Sequence, residues 1–278
     1  MKRGGNIINT FNDNYKNAEN TEDLIILEGE ISVLGIMTRN PERILKIIIK
    51  DGIKYNNAQK ILDTAKTQNI KVEFQSLENI EKLTAGKTHG GIIAVAAKRK
   101  FFSVQELLDL IDTPDTPKNK LSIAILEGIE DPYNLGYAVR ALYAQGTTAL
   151  IVPERDLNFS ETIVEKASTG TFSMMNIATF GKSDDEKIKI VDSLKSIGFT
   201  LYCIDKRKDA ESLFDTSFST KTAFLIGGEK RGISKIFVER ADKFVQIPYS
   251  GDSFAYSLTA QTSATIISYE IHRQFSQK

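Results

Sequence analysis

The sequence has few of the residues that mark several protein classes. Its 278 residues include one cysteine, Cys203, two histidines and no tryptophan. A single cysteine excludes an intramolecular disulfide and a cysteine-rich zinc site, and we expect no metal. With only His89 and His272, a catalytic centre built on histidine has little support.

The sequence also lacks an excess of charge of either sign and a long apolar run. Lys and Arg number 36, as do Asp and Glu, so the formal net charge is zero. A neutral chain has no overall attraction to nucleic acid or to an anionic membrane, so any RNA contact must come from local basic patches. Its apolar runs are much shorter than the roughly 20 residues of a membrane span. We therefore expect a cytoplasmic protein with no membrane partner.

Two α/β domains are predicted along the chain. Residues 1–20 are rich in Asn and Gly and predict a mobile tail. Residues 21–102 alternate between strand and helix patterns, which predicts a small N-terminal domain. The proline-containing stretch TPDTPKNK favours a linker over 103–120, and 121–278 form the second domain. Helices alternate with buried strands there, which predicts a parallel sheet covered on both faces.

Three loops follow strands of this second domain, at the edge where open parallel sheets bind ligands. They begin at Glu127, Gly227 and Pro248. Each loop alone fits an ordinary turn or helix cap. The glycine spacing matches neither a nucleotide-binding P-loop nor the dinucleotide fingerprint, which disfavours ATP and NAD.

Taken together, the three loops resemble the motifs of the SpoU-type (TrmH-like) RNA ribose methyltransferases of the SPOUT superfamily. LEGIEDPYNLGYAVRALYAQG resembles the first motif, FLIGGEKRGIS the second, and IPYSGDSFAYSLTAQTSATIISYEI the third at its ends. KASTGTF, with Ser168 and Gly170, resembles the Ser-x-Gly stretch of the family. In the first half, LEGEISVLGIMTRNPERILKIII and THGGIIAVAA resemble the RNA-binding domain that often precedes it.

The resemblance implies transfer of a methyl group from S-adenosylmethionine to a ribose 2′-hydroxyl of RNA. It implies a homodimer, a parallel-sheet SPOUT domain with a trefoil knot, and a small N-terminal α/β domain that holds the RNA. Ribosomal RNA is the expected substrate, with transfer RNA as the alternative. The residues implied to contact the cofactor are Gly227, Gly228, Ile247, Pro248, Ser257 and Leu258.

The resemblance places Arg140 at the centre of catalysis. Arginine is a poor base, so Arg140 either orients the ribose or its phosphate or loses a proton in an unusual site. Asn134 and Glu229 are implied to position Arg140 and the RNA. Thr259 stands where the family has Asn, and a threonine lacks the two donors of an amide. This difference motivates a second hypothesis, a non-catalytic RNA-binding protein with the same fold; a nucleotide-dependent oxidoreductase is the third.

Candidate RNA contacts of the N-terminal domain are basic or lie near glycines. They are Arg39, His89, Lys98, Arg99 and Lys100. A solvated charge run and a structural histidine are the alternative interpretations of these residues. Lysine and arginine patches on a neutral chain suffice for phosphate contacts.

Overall fold

The computed structural model describes residues 24–84, 88–113, 120–157, 161–250 and 258–277, without the side chains of 55–57, 155 and 156. The predicted tail, 1–20, lies outside the described residues. The chain divides into two compact units. The first comprises the described residues up to 100 together with 161–174, and the second comprises the rest.

The helices and strands are numbered in chain order. Their bounds are β1 Leu24–Glu28, α1 Glu30–Arg39, β2 Ile44–Lys50, α2 Tyr55–Thr67, β3 Val72–Gln75, α3 Leu77–Leu83, β4 Ile92–Ala97, β5 Phe102–Ser103, α4 Val104–Ile111, β6 Leu121–Glu127, α5 Pro132–Ala144, β7 Ala149–Pro153, α6 Glu161–Ala167, α7 Thr171–Met174, β8 Ile177–Phe180, α8 Asp184–Ser196, β9 Thr200–Ile204, β10 Glu211–Ser212, β11 Lys221–Gly227, α9 Lys235–Arg240, β12 Lys243–Gln246 and α10 Ala260–Gln277. No helix of the described residues is both long enough and apolar enough to cross a membrane.

The first unit is built on a four-stranded sheet of order β1-β4-β2-β3. Strand β4 is antiparallel to both β1 and β2, whereas β2 and β3 are parallel. Its apolar core is formed by one face of α1 and α2 and by the strands, and includes Leu27, Ile36, Ile47 and Ile61. The predicted small α/β unit is confirmed.

The second unit is built on an eight-stranded sheet of order β10-β12-β9-β11-β6-β7-β8-β5. Every pair of neighbouring strands is parallel. Strand β6 is buried along its whole length, as expected for a central strand of a covered parallel sheet. The predicted parallel-sheet α/β fold is confirmed, and the trefoil knot stays a prediction.

Helix α5 begins at Pro132, within the first loop motif. The Oδ1 atom of Asp131 accepts a hydrogen bond from the backbone N–H of Asn134 at 2.8 Å, and Pro132 occupies the first helical turn. An aspartate cap followed by proline is a favourable helix start, because proline lacks only an N–H that the helix does not use there. The cap thus fixes the direction in which α5 leaves the first loop.

The structure differs from the predicted linker, 103–120. Ser103 belongs to β5, which pairs with β8, and it caps α4 with a capping box to Glu106. Leu107 and Leu108 are buried in the core of the second unit. Burial of an apolar helix face explains why this segment is part of a domain rather than a connector. Residues 114–119 of the predicted linker lie outside the described residues.

Residues 161–174 also lie in a different place from the one that the domain prediction gave them. They belong to the first unit, although the chain around them belongs to the second. Gly170, at φ +81°, lies so close to α1 that a Cβ atom there would be 3.0 Å from the carbonyl oxygen of Ile31 and from Cα of Ser32. Ser168 is buried, and its hydroxyl accepts the N–H of Phe172 at 3.1 Å. The Ser-x-Gly stretch therefore packs against α1 of the first unit.

Candidate active site

The first and second loops are neighbours because β6 and β11 are adjacent and parallel. Their pairing runs in register up to Glu127 and Gly227, the last residues of the two strands. The third loop follows β12, which β9 separates from β11. The fold therefore brings two of the three predicted motifs together at one edge of the sheet.

Backbone packing between the two loops explains the glycines at 227 and 228. The N–H of Gly228 donates to the carbonyl oxygen of Glu127 at 2.6 Å, and a Cβ atom on Gly228 would overlap the carbonyl group of Gly128. A Cβ atom on Gly227 would overlap the backbone of Gly232. Glycine is needed here because backbone packs on backbone. Contact of Gly227 and Gly228 with a cofactor stays a prediction.

Glu127 connects the same loops through its side chain, a role that the sequence interpretation did not single out. The carboxylate is buried; its Oε2 atom accepts the N–H of Ser234 at 2.8 Å. Its Oε1 atom lies 3.5 Å from Nζ of Lys187. A charged residue at the end of a fully buried strand was the available signal, because a buried carboxylate needs partners.

A cavity of about 140 Å³ lies between the first two loops and the start of α10. Six of its ten lining residues have polar side chains, among them three carboxylates and one lysine. An ion pair of 3.0 Å joins Lys230 to Glu130, one residue from each loop. The lining residues are Gly128, Ile129, Glu130, Asp131, Asn134, Gly228, Glu229, Lys230, Ala260 and Gln261. Asn134 and Glu229, predicted to act together, line the same cavity.

Arg140 does not line this cavity. It is exposed on α5, six residues after Asn134, and a helix advances about 100° per residue, so the two side chains leave different faces. Arg140 instead shares a face with Tyr133 and Tyr137, each 50% exposed. The structure brings Asn134 and Glu229 together and leaves Arg140 on the outer face of the same helix.

Thr259 caps α10 and likewise does not line the cavity. Its hydroxyl lies 2.9 Å from the hydroxyl of Thr262 and accepts the N–H of the same residue at 3.4 Å. A threonine side chain at this position performs the usual capping role at a helix N-terminus. The hydroxyl is thus engaged by its own helix.

The predicted cofactor residues of the third loop that the structure describes are not among the residues that line the cavity. Ile247, Pro248 and Leu258 are half-buried. The N–H of Leu258 donates to the hydroxyl of Tyr249 at 3.2 Å, which brings the start of α10 back toward the end of β12. Ser257 lies outside the described residues.

Two of the predicted RNA contacts, His89 and Arg99, pack against and bond to other groups of the protein. His89 is buried in the turn before β4, where its Nδ1 atom accepts the N–H of Gly91 at 3.0 Å. Arg99 lies with its guanidinium 4.8 Å from the ring centre of Phe172 and donates to the carbonyl oxygen of that residue. The backbone N–H of Arg99 also donates to Glu161 at 3.0 Å. His89 is therefore buried and the half-buried Arg99 packs against Phe172, while contact of either residue with RNA stays a prediction.

The other three predicted RNA contacts of the first unit have exposed side chains. Arg39, Lys98 and Lys100 are exposed, with Arg39 at the last position of α1. Their contact with RNA stays a prediction.

A buried polar cluster of the first unit was not predicted. Arg43, 3% exposed, pairs with Glu161 at 2.6 Å and donates to the carbonyl oxygen of Ala97 at 3.0 Å. Nearby, the hydroxyl of Ser173 donates to the carboxyl group of Glu165. Burial raises the pKa of Glu165 to about 7, against a smaller opposing effect of the Ser173 hydrogen bond and of the Arg99 and Arg43 charges. This cluster connects 161–174 to the strands of the first unit.

Metal ligands do not gather in the part of the chain that the structure describes. No group of three or more His, Cys, Asp or Glu side chains there is arranged to hold a metal ion. Cys203 is buried in β9, and burial raises the pKa of its thiol to about 12. A thiol with so high a pKa is not a nucleophile at neutral pH.

Comparison with known proteins assigns a family to both parts of the chain. Residues 122–269 match the SpoU rRNA Methylase family. Residues 26–102 match the family described as RNA 2′-O ribose methyltransferase substrate binding.

Relatives of similar length agree with these matches. The chain is 30% identical over 257 residues to a protein of Staphylococcus epidermidis (strain ATCC 35984) named as belonging to the TrmH family of tRNA/rRNA methyltransferases; the match covers 92% of this chain and 98% of the relative. A protein of the same description from Staphylococcus aureus (strain COL) is 29% identical over 253 residues, covering 91% of this chain and 97% of the relative.

Two solved structures share the fold. The SpoU methyltransferase AviRb from Streptomyces viridochromogenes, in complex with AdoMet, has a TM-score of 0.71 at 21% identity and covers 98% of this chain and 100% of its own. An AdoMet-bound rRNA methyltransferase from Sinorhizobium meliloti has a TM-score of 0.72 at 16% identity, with coverage of 98% and 97%. Since the family match spans more than half of the 278 residues, this chain belongs to the SpoU rRNA Methylase family.

Proposed function

We propose that this protein transfers a methyl group from S-adenosylmethionine to a ribose 2′-hydroxyl of RNA, with ribosomal RNA as the substrate. The observation that carries the proposal is the cavity that holds Asn134 and Glu229 in a chain of this RNA methylase family. The match of 26–102 to a substrate-binding family of RNA 2′-O ribose methyltransferases supports the ribose as the acceptor.

The residues of the second and third loops fit the proposed cofactor. Gly227, Ile247, Pro248 and Leu258 are half-buried at the ends of β11 and β12 and at the start of α10. The partly exposed apolar side chains of Ile247, Pro248 and Leu258 suit contact with an adenine ring. Gly228 and Ser257 complete the proposed set. When bound, S-adenosylmethionine supplies a methyl group that its sulfonium makes electrophilic.

The protein's own contribution is alignment of the nucleotide and help in removing the hydroxyl proton. Asn134 and Glu229 offer an amide and a carboxylate to the ribose in the cavity. Arg140 has the planar guanidinium fork that holds a phosphate or a ribose by two hydrogen bonds. Its exposed position on α5 suits a nucleotide that extends beyond the cavity. Holding the hydroxyl in line with the methyl group supplies much of the expected rate enhancement.

The first unit is the proposed RNA-holding domain. Arg39, Lys98 and Lys100 are exposed cations that can contact phosphates without reading sequence. We also propose a homodimer formed through the second unit. Transfer RNA remains the alternative substrate because the Staphylococcus relatives are named for both RNA classes.

The test is transfer of labelled methyl from S-adenosylmethionine to total RNA from a strain that lacks this protein, with the labelled site mapped. Wild type is compared with Arg140→Ala and with Arg240→Ala, a control whose arginine pairs with Asp192 on the surface. We expect a ribose 2′-O-methyl group from wild type and from the control, and loss of at least tenfold in Arg140→Ala.

Three results would redirect the proposal. Methylation of a base would overturn the ribose assignment, and label in transfer RNA would select the alternative substrate. No transfer to RNA or to ribosomal particles, with binding of S-adenosylmethionine measured separately, would favour the non-catalytic RNA-binding hypothesis that Thr259 motivates.

A further inference from the structure

Glu127, the last residue of β6, holds both ends of loop 228–234. Its backbone carbonyl oxygen accepts the N–H of Gly228 at 2.6 Å, where the loop begins. The Oε2 atom of its carboxylate accepts the N–H of Ser234 at 2.8 Å, where the loop ends and α9 follows. Inside the loop, the N–H of Gly232 donates to the carbonyl oxygen of Gly228 at 2.9 Å. The loop is thus closed onto a single residue of the neighbouring strand.

The side-chain contact of Glu127 is shielded from water. Its side chain is 5% exposed, and its Oε1 atom lies 3.5 Å from Nζ of Lys187, which is 11% exposed. The ammonium group of Lys187 compensates the charge of the carboxylate, and the N–H of Ser234 bonds to its other oxygen. A hydrogen bond to a charged group in such surroundings is stronger than one between neutral groups.

The rest of the loop has little burial to fix it. Residues 229–232 are exposed. The ion pair of Lys230 with Glu130 has side chains that are 81% and 54% exposed, and exposed pairs contribute little to stability. The hydroxyl of Ser234 makes no capping hydrogen bond to α9. The position of the loop therefore depends on how its two ends are attached to Glu127.

This loop carries residues on which the proposed function depends. Gly228 and Glu229 line the cavity, and Gly227 and Gly228 are proposed to contact the cofactor. Backbone groups that bind a ligand are only as well placed as the segment that carries them, and a misplacement of about 1 Å is costly. The attachment of the loop should therefore affect how well the cofactor binds.

We propose that Glu127 is a positioning residue for S-adenosylmethionine, whose carboxylate acts through the N–H of Ser234 to keep loop 228–234 in the conformation that the cofactor requires. Glu127 is not among the residues that line the cavity, so it acts through the backbone of the loop and not by touching the ligand. The proposal rests on the proposed function, because it explains the loop geometry of the same site.

The test measures binding of S-adenosylmethionine to wild type and to Glu127→Met by calorimetry. Methionine has a similar length and removes both carboxylate oxygens. We expect the Kd to rise about tenfold at unchanged stoichiometry, as for loss of one hydrogen bond to a charged group. Stoichiometry is part of the test because a protein that is only destabilised has fewer competent molecules, each with unchanged affinity.

Two other substitutions separate the hydrogen bond from the charge and from folding. Glu127→Gln keeps a side-chain oxygen that can accept the N–H of Ser234, so its Kd should lie within threefold of wild type. Glu127→Asp is the second variant if methionine impairs folding. Its side chain is one methylene group shorter and no longer reaches Ser234, so the Kd should rise as in Glu127→Met.

A matched control lies elsewhere in the second unit. Asp242, between α9 and β12, accepts the N–H of Leu201 at 2.9 Å with one oxygen and pairs with Lys195 of α8 at 2.6 Å with the other. Asp242→Leu removes the same two kinds of contact, and Asp242 does not line the cavity. The Kd of this variant for S-adenosylmethionine should equal that of wild type, whatever its Tm.

The outcomes separate the two proposals. If wild type binds S-adenosylmethionine and methylates RNA while Glu127→Met binds it with unchanged Kd, the positioning role is refuted and the proposed function stands. Equal weakening in Asp242→Leu would also overturn the positioning role, because the loss would then come from general destabilisation. No recovery in Glu127→Gln would overturn it as well, since the hydrogen bond to Ser234 would not be the cause. If wild type binds no S-adenosylmethionine, both proposals fall.

Discussion

Glu165 should make the first unit less stable as the pH rises toward 7. The carboxyl group is 1% exposed, and its Oε2 atom has no hydrogen-bond partner among the described residues. Burial raises its pKa from 4.5 to about 7. A raised folded-state pKa means that the folded protein holds the proton more tightly than the unfolded chain. The resulting stabilisation is complete below about pH 4.5 and is lost as the pH rises through about 7.

The magnitude follows from the two pKa values. With 4.5 unfolded and about 7 folded, the free energy of unfolding should fall by roughly 2.5 kcal/mol between pH 5 and pH 8 from this group alone. Other groups titrate as well, so the relevant quantity is the difference between wild type and Glu165→Gln. Glutamine has nearly the same shape as the protonated acid and does not ionise in this range.

The assay is urea unfolding followed by far-UV circular dichroism at pH 5 and pH 8. We expect Glu165→Gln to gain about 2–3 kcal/mol relative to wild type on going from pH 5 to pH 8. Glu78→Gln, at an exposed position on α3 of the same unit, is the control. Its free energy of unfolding should change between pH 5 and pH 8 by the same amount as that of wild type. A difference between Glu165→Gln and wild type that does not change with pH would refute the reasoning, since Glu165 would then be ionised throughout.

Three further outcomes follow from loop packing, side-chain burial and capping. Gly228→Ala should lower the free energy of unfolding by about 3 kcal/mol, because its Cβ atom would overlap backbone atoms. Gly232→Ala should lower it by only about 1 kcal/mol, through strain at a positive φ. Equal losses for the two variants in urea unfolding would contradict the packing argument. Arg99→Met should lower the Tm by several degrees, because it loses packing against Phe172 and hydrogen bonds. Lys98→Met, at an exposed neighbouring position, should leave the Tm unchanged. A larger loss of Tm in Lys98→Met than in Arg99→Met would contradict the packing of Arg99. Asp131→Ala should lower the free energy of unfolding by about 1 kcal/mol and Asp131→Asn by much less, because only asparagine keeps a side-chain oxygen that can cap α5. Equal losses for the two variants in denaturant unfolding would mean that the cap adds no stability.

Most of the individual helices and strands were predictable because they carry local patterns. Residues 44–50 are rich in isoleucine, 121–127 form a fully buried and mostly apolar strand, and 104–111 has helical spacing behind a capping serine. Strands β5 and β10 are two residues long, too short for any periodicity to appear. They exist because a neighbouring strand offers hydrogen bonds, which is a property of the sheet rather than of the segment.

The site was predictable as a set of motifs but only partly as an arrangement. Asn134 and Glu229 are nearly a hundred residues apart and still line one cavity, because β6 and β11 are parallel neighbours that end together. Arg140 belongs to the same motif as Asn134, yet helical rotation places it on another face.

The α/β class, the division into two parts and the family resemblance could be predicted from the sequence alone, because each depends on local periodicity or on motifs with fixed spacing. Three features became visible only in the tertiary structure: His89 is buried and Arg99 packs against Phe172, 161–174 pack with the first unit, and glycines 227 and 228 allow close packing between loops. These properties depend on which distant segments meet. A basic residue near a glycine has the same local pattern whether it faces solvent or an aromatic ring, and only the partner brought by the fold separates the two cases.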